Sequence, residues 1–492
     1  MYDVAKSGPF FARDHKSIAM LYLGWTMGLF LLAALLAGFL RLEAVSGNEI
    51  DQSLLNQMLT YHGVIMVFMF LVPVIPTVLG YFLLPLQLGA AEMAMPKLTR
   101  VGFVLFALGT IGVLASLVKY PVGTGWTFNT PYSLIDGGSL AFMAGGLAMI
   151  ALSWVLTGVN IIATVHNRRA PGLGLLDVPI LSWSLYLTAF VLVVAGLAFA
   201  AIIVALAVAN LTAKGPFAGQ ADPLLWQNAF WFVTTPAAFF AVLPAIGVVT
   251  DVIAGISRKA LTGRRIVMAS LVVLLAVGFA SWGTHMTGSG QEPGLGFAFG
   301  VISLVAVIPI ALIAYCWLAT LSRGAIACAA PTTYTLAFLL NGGIGAALGL
   351  FLLNPSVGAY LASTLFTTAY IHYVMMGGVV TALLAGLHFW WPRITGRDYD
   401  PLLGRVSGFV YLVGLNMAFF PQIIMGTRGV PQGVHTVPAD MTGLHTVSAV
   451  GIYLLLGSLV IVIYNLVRSL TSGARAVSDP WGAATREWSP EP

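Results

Sequence analysis

Long apolar runs follow one another along almost the whole chain, each separated from the next by a short polar segment. About 20 apolar residues in a helix cross the roughly 30 Å hydrocarbon core of a bilayer. The sequence contains twelve runs of about this length, which predict an all-α membrane protein with twelve transmembrane helices. The runs are 16–41, 57–88, 101–119, 139–167, 180–213, 224–257, 265–287, 295–322, 332–353, 358–391, 403–426 and 442–471.

Composition supports this interpretation, because 59% of the 492 residues are hydrophobic and only 8% are charged. A soluble chain with this balance would expose much of its apolar surface to water. The first 15 residues and residues 472–492 are more polar and are predicted to be cytoplasmic tails around a membrane domain at 16–471. The N-terminal stretch "MYDVAKSGPFFARDHKS" lacks the apolar core of a signal peptide, so we expect it to be retained.

Basic residues assign the topology, since Lys and Arg near helix ends favour the cytoplasmic side. With twelve spans, four of the 22 Lys and Arg fall on one side of the membrane, which leaves 18 on the other. The four are Arg41, Lys119, Lys214 and Arg428. Both termini are therefore predicted to be cytoplasmic, in a multi-pass protein of a prokaryotic inner membrane. This distribution accounts for the basic charge without any binding of nucleic acid.

Motifs of soluble enzymes are missing from the sequence. Cys316 and Cys328 form no CxxC pattern, which argues against a disulfide framework or a thiolate metal site. No Walker loop, GxSxG elbow or HExxH segment is found. The polar residues within the apolar runs are therefore the functional candidates, because they are costly to bury in a membrane.

The histidines within predicted helices include His62, His285, His372 and His388. His388 precedes "FWWPR" at a predicted cytoplasmic helix end, and we expect an interfacial role for it. His62 and His372 lie deeper, on different helices. Two such imidazoles are what a six-coordinate, low-spin heme requires for electron transfer. The alternative is that each is a core histidine with a hydrogen-bonded neighbour.

Several stretches resemble subunit I of the heme-copper oxidases, the superfamily of cytochrome c and quinol oxidases. They include "DHKSIAMLYL", "TYHGVIMVFMFLVPVIPTVLGYFLLPLQLGAAEMAMPK", "GTGWT", "ADPLLWQNAFWF", "IHYVMMGG" and "NMAFFPQ", in the family's order. The resemblance covers about residues 11–470 and implies the same twelve-helix bundle. It implies that His62 and His372 are axial ligands of the low-spin heme. The residues that it places around this heme are Arg41, Met66, Gly125, Trp126, Phe419 and Gln422.

The family's oxygen-reducing site, a second heme facing copper held by three histidines, is not matched. In the helix where the family has His-Pro-Glu-Val-Tyr, this chain has "TTPAAFF", with Thr235, Ala237 and Phe239 at the key positions. In place of the family's adjacent histidines stand Thr284 and His285. A lone imidazole cannot provide the nitrogen ligands that such a copper site requires. We therefore expect one low-spin heme, of type a or b, and no copper.

Tyr370 occupies the position of the family's second-heme ligand in "YIHYV". Residues two apart on a helix point about 200° apart, so the family's two ligands face different hemes. A tyrosine can bind ferric heme, but we favour a Tyr370 side chain that fills the vacated space. Its hydroxyl, or that of Thr284 or Thr235, is expected to bond His285.

Other polar positions of the family have also changed. Ile313 replaces a lysine of one proton path. Near the heme propionates, Ala362 and Ser363 replace the family's His-Asp pair, and Gln432 and Gly433 replace its Arg-Arg pair. Glu92 and Asp222 match family positions, and we expect both to be solvated loop residues. Arg428 is a candidate for a replacement propionate contact. The quinol-oxidising members carry an Arg, an Asp and a His near this heme, where this chain has Leu32, Leu36 and Leu54. Only Gln57 agrees with those members, which favours a protein as the electron donor.

These observations favour a membrane cytochrome subunit that transfers electrons within a respiratory or dehydrogenase complex and has lost oxygen reduction. Expected partners are other membrane subunits, a cytochrome c-like or other protein donor or acceptor, and the lipid bilayer. One alternative is a heme-stabilised subunit that docks partners without electron flux. A further alternative is an active terminal oxidase or nitric oxide reductase with a rebuilt site.

Overall fold

The computed structural model describes residues 14–42, 46, 50–135, 139–219, 222–286, 290–434, 436–483 and 485–489. Within these ranges the regular structure is helical, with two isolated β-bridges. The long helices are α1 His15–Phe39, α2 Gln52–Leu88, α3 Pro96–Lys119, α4 Ser139–Asn167, α5 Ile180–Thr212, α6 Pro223–Ser257, α7 Arg264–Ala280, α8 Pro293–Leu321, α9 Ala330–Leu353, α10 Leu365–Thr395, α11 Pro401–Thr427 and α12 Thr442–Ser472.

Ten helices of the described chain are long and apolar enough to cross a membrane. The two predicted spans outside this set coincide with α6 and α7. Helix α7 has only 17 residues, and the fully described apolar part of α6 is Ala241–Ser257. The all-helical membrane fold is thus confirmed, while the count of twelve spans and the cytoplasmic location of both ends stay predictions.

Two predicted runs differ from the helices in ways that local sequence explains. The run 265–287 is helical only to Ala280 and continues as a 3-10 turn, Trp282–Met286. The run 358–391 contains the start of α10 at Leu365, where the Thr364 side chain accepts a hydrogen bond from the amide of Phe366. A separate short helix, Pro355–Leu361, precedes it. A hydropathy profile does not detect such a cap, because the cap is a single polar residue beside a long apolar run.

Helices α2 and α10 contain π-helical segments directly after the predicted ligands. In α2 these are Ile65–Leu71 and Ile75–Gly80. Pro73 lies between the two segments, and Pro76 lies within the second. In α10 the segment is Met375–Val380. A proline lacks the amide hydrogen that continues an α-helix, which accounts for the wider turns in α2. Such turns are frequent at functional sites.

Small residues bring neighbouring helices into close contact. A Cβ atom on Gly451 of α12 would overlap the backbone of Ala418 in α11, and one on Gly146 of α4 would overlap the carbonyl of Gly109 in α3. Membrane helices commonly pack through small residues in this way, because lipid supplies no hydrophobic drive for association. The glycine content therefore supports close helix packing.

The segment after α12 folds back onto the helix ends of one face. The Ala476 amide donates to the Gly396 carbonyl at 3.1 Å, and the Trp481 indole donates to the Phe389 carbonyl at 2.8 Å. Trp488 is only 4% exposed. The described part of the predicted C-terminal tail is thus packed against the bundle.

Glu92, in the loop between α2 and α3, is not the solvated residue that the sequence predicted. Its carboxylate lies 2.6 Å from Nδ1 of His15 and its side chain is 30% exposed. Burial alone would raise the pKa of the Glu92 carboxyl, but the hydrogen bond and charge of His15 outweigh this and lower the pKa. The contact ties the start of α1 to this loop.

We expect Glu92→Gln to lower the free energy of unfolding by about 1 kcal/mol at neutral pH, the size of a partly exposed charged hydrogen bond. A carboxyl with a lowered folded-state pKa stabilises the protein above its ordinary pKa and loses this contribution as the pH falls through the folded-state value. Thermal unfolding in detergent should thus show a difference that persists at the ordinary glutamate pKa, about 4.3, and disappears as the pH falls through the lowered folded-state value. The exposed Asp177 gives a control, Asp177→Asn, and an equal loss in both variants would contradict the assignment.

Candidate heme site

Two histidines from different helices form the centre of the site. His62 of α2 and His372 of α10 have ring centroids 6.3 Å apart, with the ring planes inclined by 17°. They are 310 positions apart in sequence (372 minus 62). The fold therefore brings together the two residues that the sequence analysis singled out.

The outer nitrogen of each ring is held by a backbone carbonyl. Nδ1 of His62 lies 2.9 Å from the oxygen of Ala33 in α1, and Nδ1 of His372 lies 2.7 Å from that of Thr368. Because a carbonyl only accepts, Nδ1 carries the hydrogen and Nε2 keeps its lone pair. Among the described residues, neither Nε2 atom has a hydrogen-bonding partner. This is the tautomer that a metal-binding histidine needs, with the orienting contact typical of such ligands.

The separation of the rings fits one metal ion between them. A ligating imidazole nitrogen lies about 2 Å from its metal and about 1 Å from its own ring centre, so two axial rings have centroids about 6 Å apart. The observed 6.3 Å agrees with this value. A pair of stacked core histidines in van der Waals contact would instead lie closer together.

A partly open cavity surrounds the two rings, with about 550 Å³ of space free of protein atoms that includes its opening to the outside. The ring of Phe419 stacks on His372 with centroids 4.2 Å apart. Apart from the two histidines and Tyr411, the lining side chains are apolar, which suits a porphyrin face. The lining comprises Phe30, Ala34, Ala37, His62, Met66, His372, Met376, Leu384, Tyr411, Phe419, Ile452, Leu455, Leu456 and Leu459.

Two of the other predicted site residues, Met66 and Phe419, line the cavity. Gln422 is buried and donates to Ser448 in α12 at 3.0 Å. The amide of Gly125 donates to Thr60 at 2.8 Å. Trp126 packs on Gly63, where an added Cβ would lie 2.7 Å from the tryptophan side chain. The Gly125–Trp126 loop is therefore fixed beside His62.

Arg41, just after α1, has a partner that sequence reasoning missed. Its guanidinium donates to Nε2 of His445, in α12, at 3.2 Å. His445 is only 8% exposed. No spacing pattern in the sequence connects residues 41 and 445.

Two of the three positions that the resemblance matches to copper ligands hold hydroxyls that are bonded within the protein. Thr235 donates to the Trp282 carbonyl at 3.0 Å, and Thr284 donates to the Ser281 carbonyl at 2.7 Å. The side chains of Ala237 and Phe239 lie outside the described residues. Across the part of the chain that is described, no three His, Cys, Asp or Glu side chains cluster closely enough to hold a metal ion.

His285 and Tyr370 are placed differently from the expectation for them. The His285 ring stacks on Trp231 with centroids 4.7 Å apart, and among the described residues no hydroxyl bonds it. The prediction that Thr284, Thr235 or Tyr370 hydrogen-bonds His285 is therefore wrong for the described residues. The Tyr370 ring packs against Gly349 of α9, where an added Cβ would lie 3.3 Å away. This agrees with a side chain that fills space.

Three further expectations can be compared with the structure. Arg428 is 56% exposed and lies 3.6 Å from Asp440, and the suggested propionate contact of Arg428 stays a prediction. Asp222 is an exposed cap of α6, as expected. His388 is completely buried, with its ring stacked on Tyr334 at 5.0 Å, which contradicts an interfacial role.

Comparison with known proteins gives consistent results over nearly the whole chain. The family model described as "Cytochrome C and Quinol oxidase polypeptide I" matches residues 17–485. A probable cytochrome c oxidase subunit 1-beta of Nocardia farcinica is 32% identical over 492 residues, covering 96% of this chain and 82% of the relative. Cytochrome c oxidase subunit 1 of Bacillus sp. strain PS3 is 30% identical over 486 residues, covering 96% and 79%.

The fold is also shared with a solved structure. A chain from a heme-copper terminal oxidase dimer superposes with a TM-score of 0.74 at 16% identity, over 94% of this chain and 84% of that one. At this identity the match shows the fold alone. Together with the family match and the relatives, it shows that the chain belongs to the heme-copper oxidase subunit I family.

Proposed function

We propose that this chain is a membrane cytochrome subunit that binds one low-spin heme between His62 and His372 and transfers electrons without reducing oxygen itself. The observation that carries the proposal is the pair of nearly parallel imidazoles at 6.3 Å, each with Nδ1 bonded to a carbonyl. Membership of a family that binds hemes and copper supports a heme as the ligand. The proposal differs from the oxidase function that the relatives' names carry, because it includes no second metal site for oxygen reduction.

A heme held by His62 and His372 would supply reversible one-electron chemistry. The protein's own residues would set its surroundings. Ala33 and Thr368 hold the two imidazoles in the ligating tautomer, and Phe419 limits rotation of the His372 ring by stacking on it. The apolar lining would limit the contact of a bound heme with water, so the heme potential would depend on the few polar groups nearby.

Oxygen reduction requires a second metal centre and a supply of protons, and the sequence changes remove groups for both. Thr235 and Thr284 stand where the family has copper-binding imidazoles. A hydroxyl bonded to a backbone carbonyl is a poor substitute for a neutral imidazole as a copper ligand. Ile313, which replaces a lysine of a proton path, is a buried apolar side chain. These replacements support electron transfer without oxygen chemistry.

The proposed partners are other membrane subunits of a redox complex and a protein that donates or accepts electrons. A docking subunit without electron flux would have the same heme site, so only reduction kinetics separate these two functions. A terminal oxidase would instead need a second heme and copper in this chain. The metal content therefore discriminates between the proposal and the function that the relatives' names carry.

We expect the purified complex to contain one low-spin heme per copy of this chain and no copper in this subunit. The measurements are a pyridine hemochrome spectrum, which also identifies the heme type, and elemental analysis of iron and copper against protein. Two hemes with stoichiometric copper in this chain would overturn the proposal. A single heme that the complex's physiological donor does not reduce would favour the docking function.

A further inference from the structure

An apolar groove lies between α7 and the second half of α8, on the outer surface of the helix bundle. About 720 Å³ of its space is free of protein atoms, a value that includes its opening to the outside. Ile308 in its wall is 63% exposed, so the groove opens toward the lipid around the bundle. The lining residues are Ile266, Ala269, Ser270, Val273, Val305, Ile308, Pro309 and Leu312.

The groove lies beside a break in α8 that the local sequence explains. The α-helical parts of α8 are Pro293–Leu304 and Val307–Leu321. Pro309 has no amide hydrogen to donate to the carbonyl of Val305, which instead accepts from the amide of Ile308 at 3.3 Å. Proline is a frequent cause of such interruptions. Because Val305 and Pro309 both line the groove, its wall on this side is formed by the interrupted part of the helix.

Hydrogen bonds fix the start of α7 beside the end of α8. The amide of Thr262 donates to the Thr320 hydroxyl at 3.0 Å, and the ammonium group of Lys259 donates to the carbonyl of Ser322 at 3.1 Å. The two helices therefore run antiparallel, and the first turn of α7 lies at the same membrane face as the last turn of α8. One end of the groove is close to this face.

The length of the groove fits one leaflet of a bilayer. Along α7 it extends from Ile266 to Val273, which at 1.5 Å per residue is about 10 Å. The hydrocarbon core is about 30 Å thick, so the groove stays within the half of the core next to the start of α7. A transmembrane helix of a partner would pack along most of the core, whereas an acyl chain occupies one leaflet. The length therefore favours an acyl chain.

Two arginines lie at the end of the groove that is close to the membrane face. Arg265 precedes Ala269 by four residues, so both lie on the same side of α7, and Arg323 follows the last turn of α8. Both are exposed, and neither has a hydrogen bond or an ion pair with the described residues. The acid closest to this end, Asp177, lies 3.9 Å from Arg264 instead. A guanidinium group binds phosphate well through its planar N–H fork.

We propose that this groove binds one acyl chain of an anionic phospholipid, whose phosphate is held by Arg265 and Arg323. The apolar lining recognises the chain, and the two positive charges select a headgroup with net negative charge. Each arginine near a membrane surface should favour such a lipid about fivefold over a zwitterionic one. The site is separate from the histidine pair and does not depend on the proposed electron transfer.

The test is photocrosslinking of the purified complex in phosphatidylcholine vesicles that contain a small fraction of phosphatidylglycerol with a photoreactive acyl chain. Peptide mass spectrometry locates the crosslinks. We expect them within residues 266–273 and 305–312, at a yield about tenfold or more above that of photoreactive phosphatidylcholine with the same chains. Equal yields from the two lipids would overturn the proposal. Absence of crosslinks in both segments, as when a partner helix fills the groove, would also overturn it.

Variants separate the contribution of the headgroup from that of the chain. Arg265→Gln and Arg323→Gln should each lower the preference for phosphatidylglycerol about fivefold. Ala269→Phe should fill the groove and reduce the crosslinks of both lipids. All three side chains are exposed, so each variant should fold.

Arg468 provides the matched control. It is an exposed arginine in the last turn of α12, and the segment after this helix reaches Arg258 between α6 and α7, at the same face. Arg468→Gln should leave both the yield and the preference unchanged. An equal loss of preference in this variant, or full crosslinking in Ala269→Phe, would contradict the proposed site.

Discussion

Replacing His372 by alanine is expected to abolish the low-spin heme spectrum. The iron would lose one axial ligand, and the ring of Phe419 would lose the imidazole on which it stacks at 4.2 Å. His62→Ala should have the same spectroscopic effect, because both imidazoles are needed for a six-coordinate iron. Each variant should also lower the free energy of unfolding by about 2–5 kcal/mol, as for other deletions that enlarge a buried cavity.

His388 provides a matched control on the same helix. It is buried, and its Nδ1 lies 2.8 Å from the Leu384 carbonyl four residues earlier, as Nδ1 of His372 lies near that of Thr368. His388→Ala should destabilise the protein but leave the heme absorption unchanged. Optical and electron paramagnetic resonance spectra of the three variants give the comparison. Loss of the low-spin signal only in His388→Ala would show that the ligands have been misassigned.

The second large effect is expected from Gly451→Ala in α12. A methyl group there would overlap the backbone of Ala418, and backbone cannot rotate away as a side chain can. Helices α11 and α12 would have to separate, at a cost of roughly 1–3 kcal/mol or more. Because Ile452 and Leu455 of α12 line the cavity, the separation should also weaken heme binding.

Gly457 lies on the same helix and has no neighbour within 4 Å of an added Cβ. Gly457→Ala is therefore the matched control, and it should be neutral or slightly stabilising because alanine favours helix more than glycine does. Thermal unfolding and heme retention in detergent measure both effects. Equal behaviour of the two variants would mean that the α11–α12 contact is looser than the structure indicates.

The sequence predicted the helical membrane fold well because each span must be long and apolar, a property that local composition records. It also singled out His62 and His372, which the fold brings together, because the motifs around them are specific. Contacts that depend on two distant segments were not predictable. The contact of Arg41 with His445 joins two residues whose neighbourhoods in the sequence give no sign of each other.

The ionisation and exposure of single residues were predicted less well. Glu92 was expected to be solvated and is held by His15, and His388 was expected at an interface and is fully buried. Both errors have one cause. Hydropathy locates a residue along the membrane normal, but it does not show whether a loop or a neighbouring helix covers it. Burial of that kind is decided by tertiary packing.

The π-helical turns after His62 and His372 have a consequence for how such sequences can change. Each wide turn takes in more residues than an α-helical turn, so the helix beyond it is rotated relative to the ligand-bearing half. A one-residue insertion or deletion within Ile65–Leu71 or Met375–Val380 could be absorbed by widening or narrowing the turn. The two histidines would keep their orientation, while the residues beyond the turn would be rotated toward different neighbouring helices. Evolution could therefore remodel the remainder of the bundle while preserving the histidine pair.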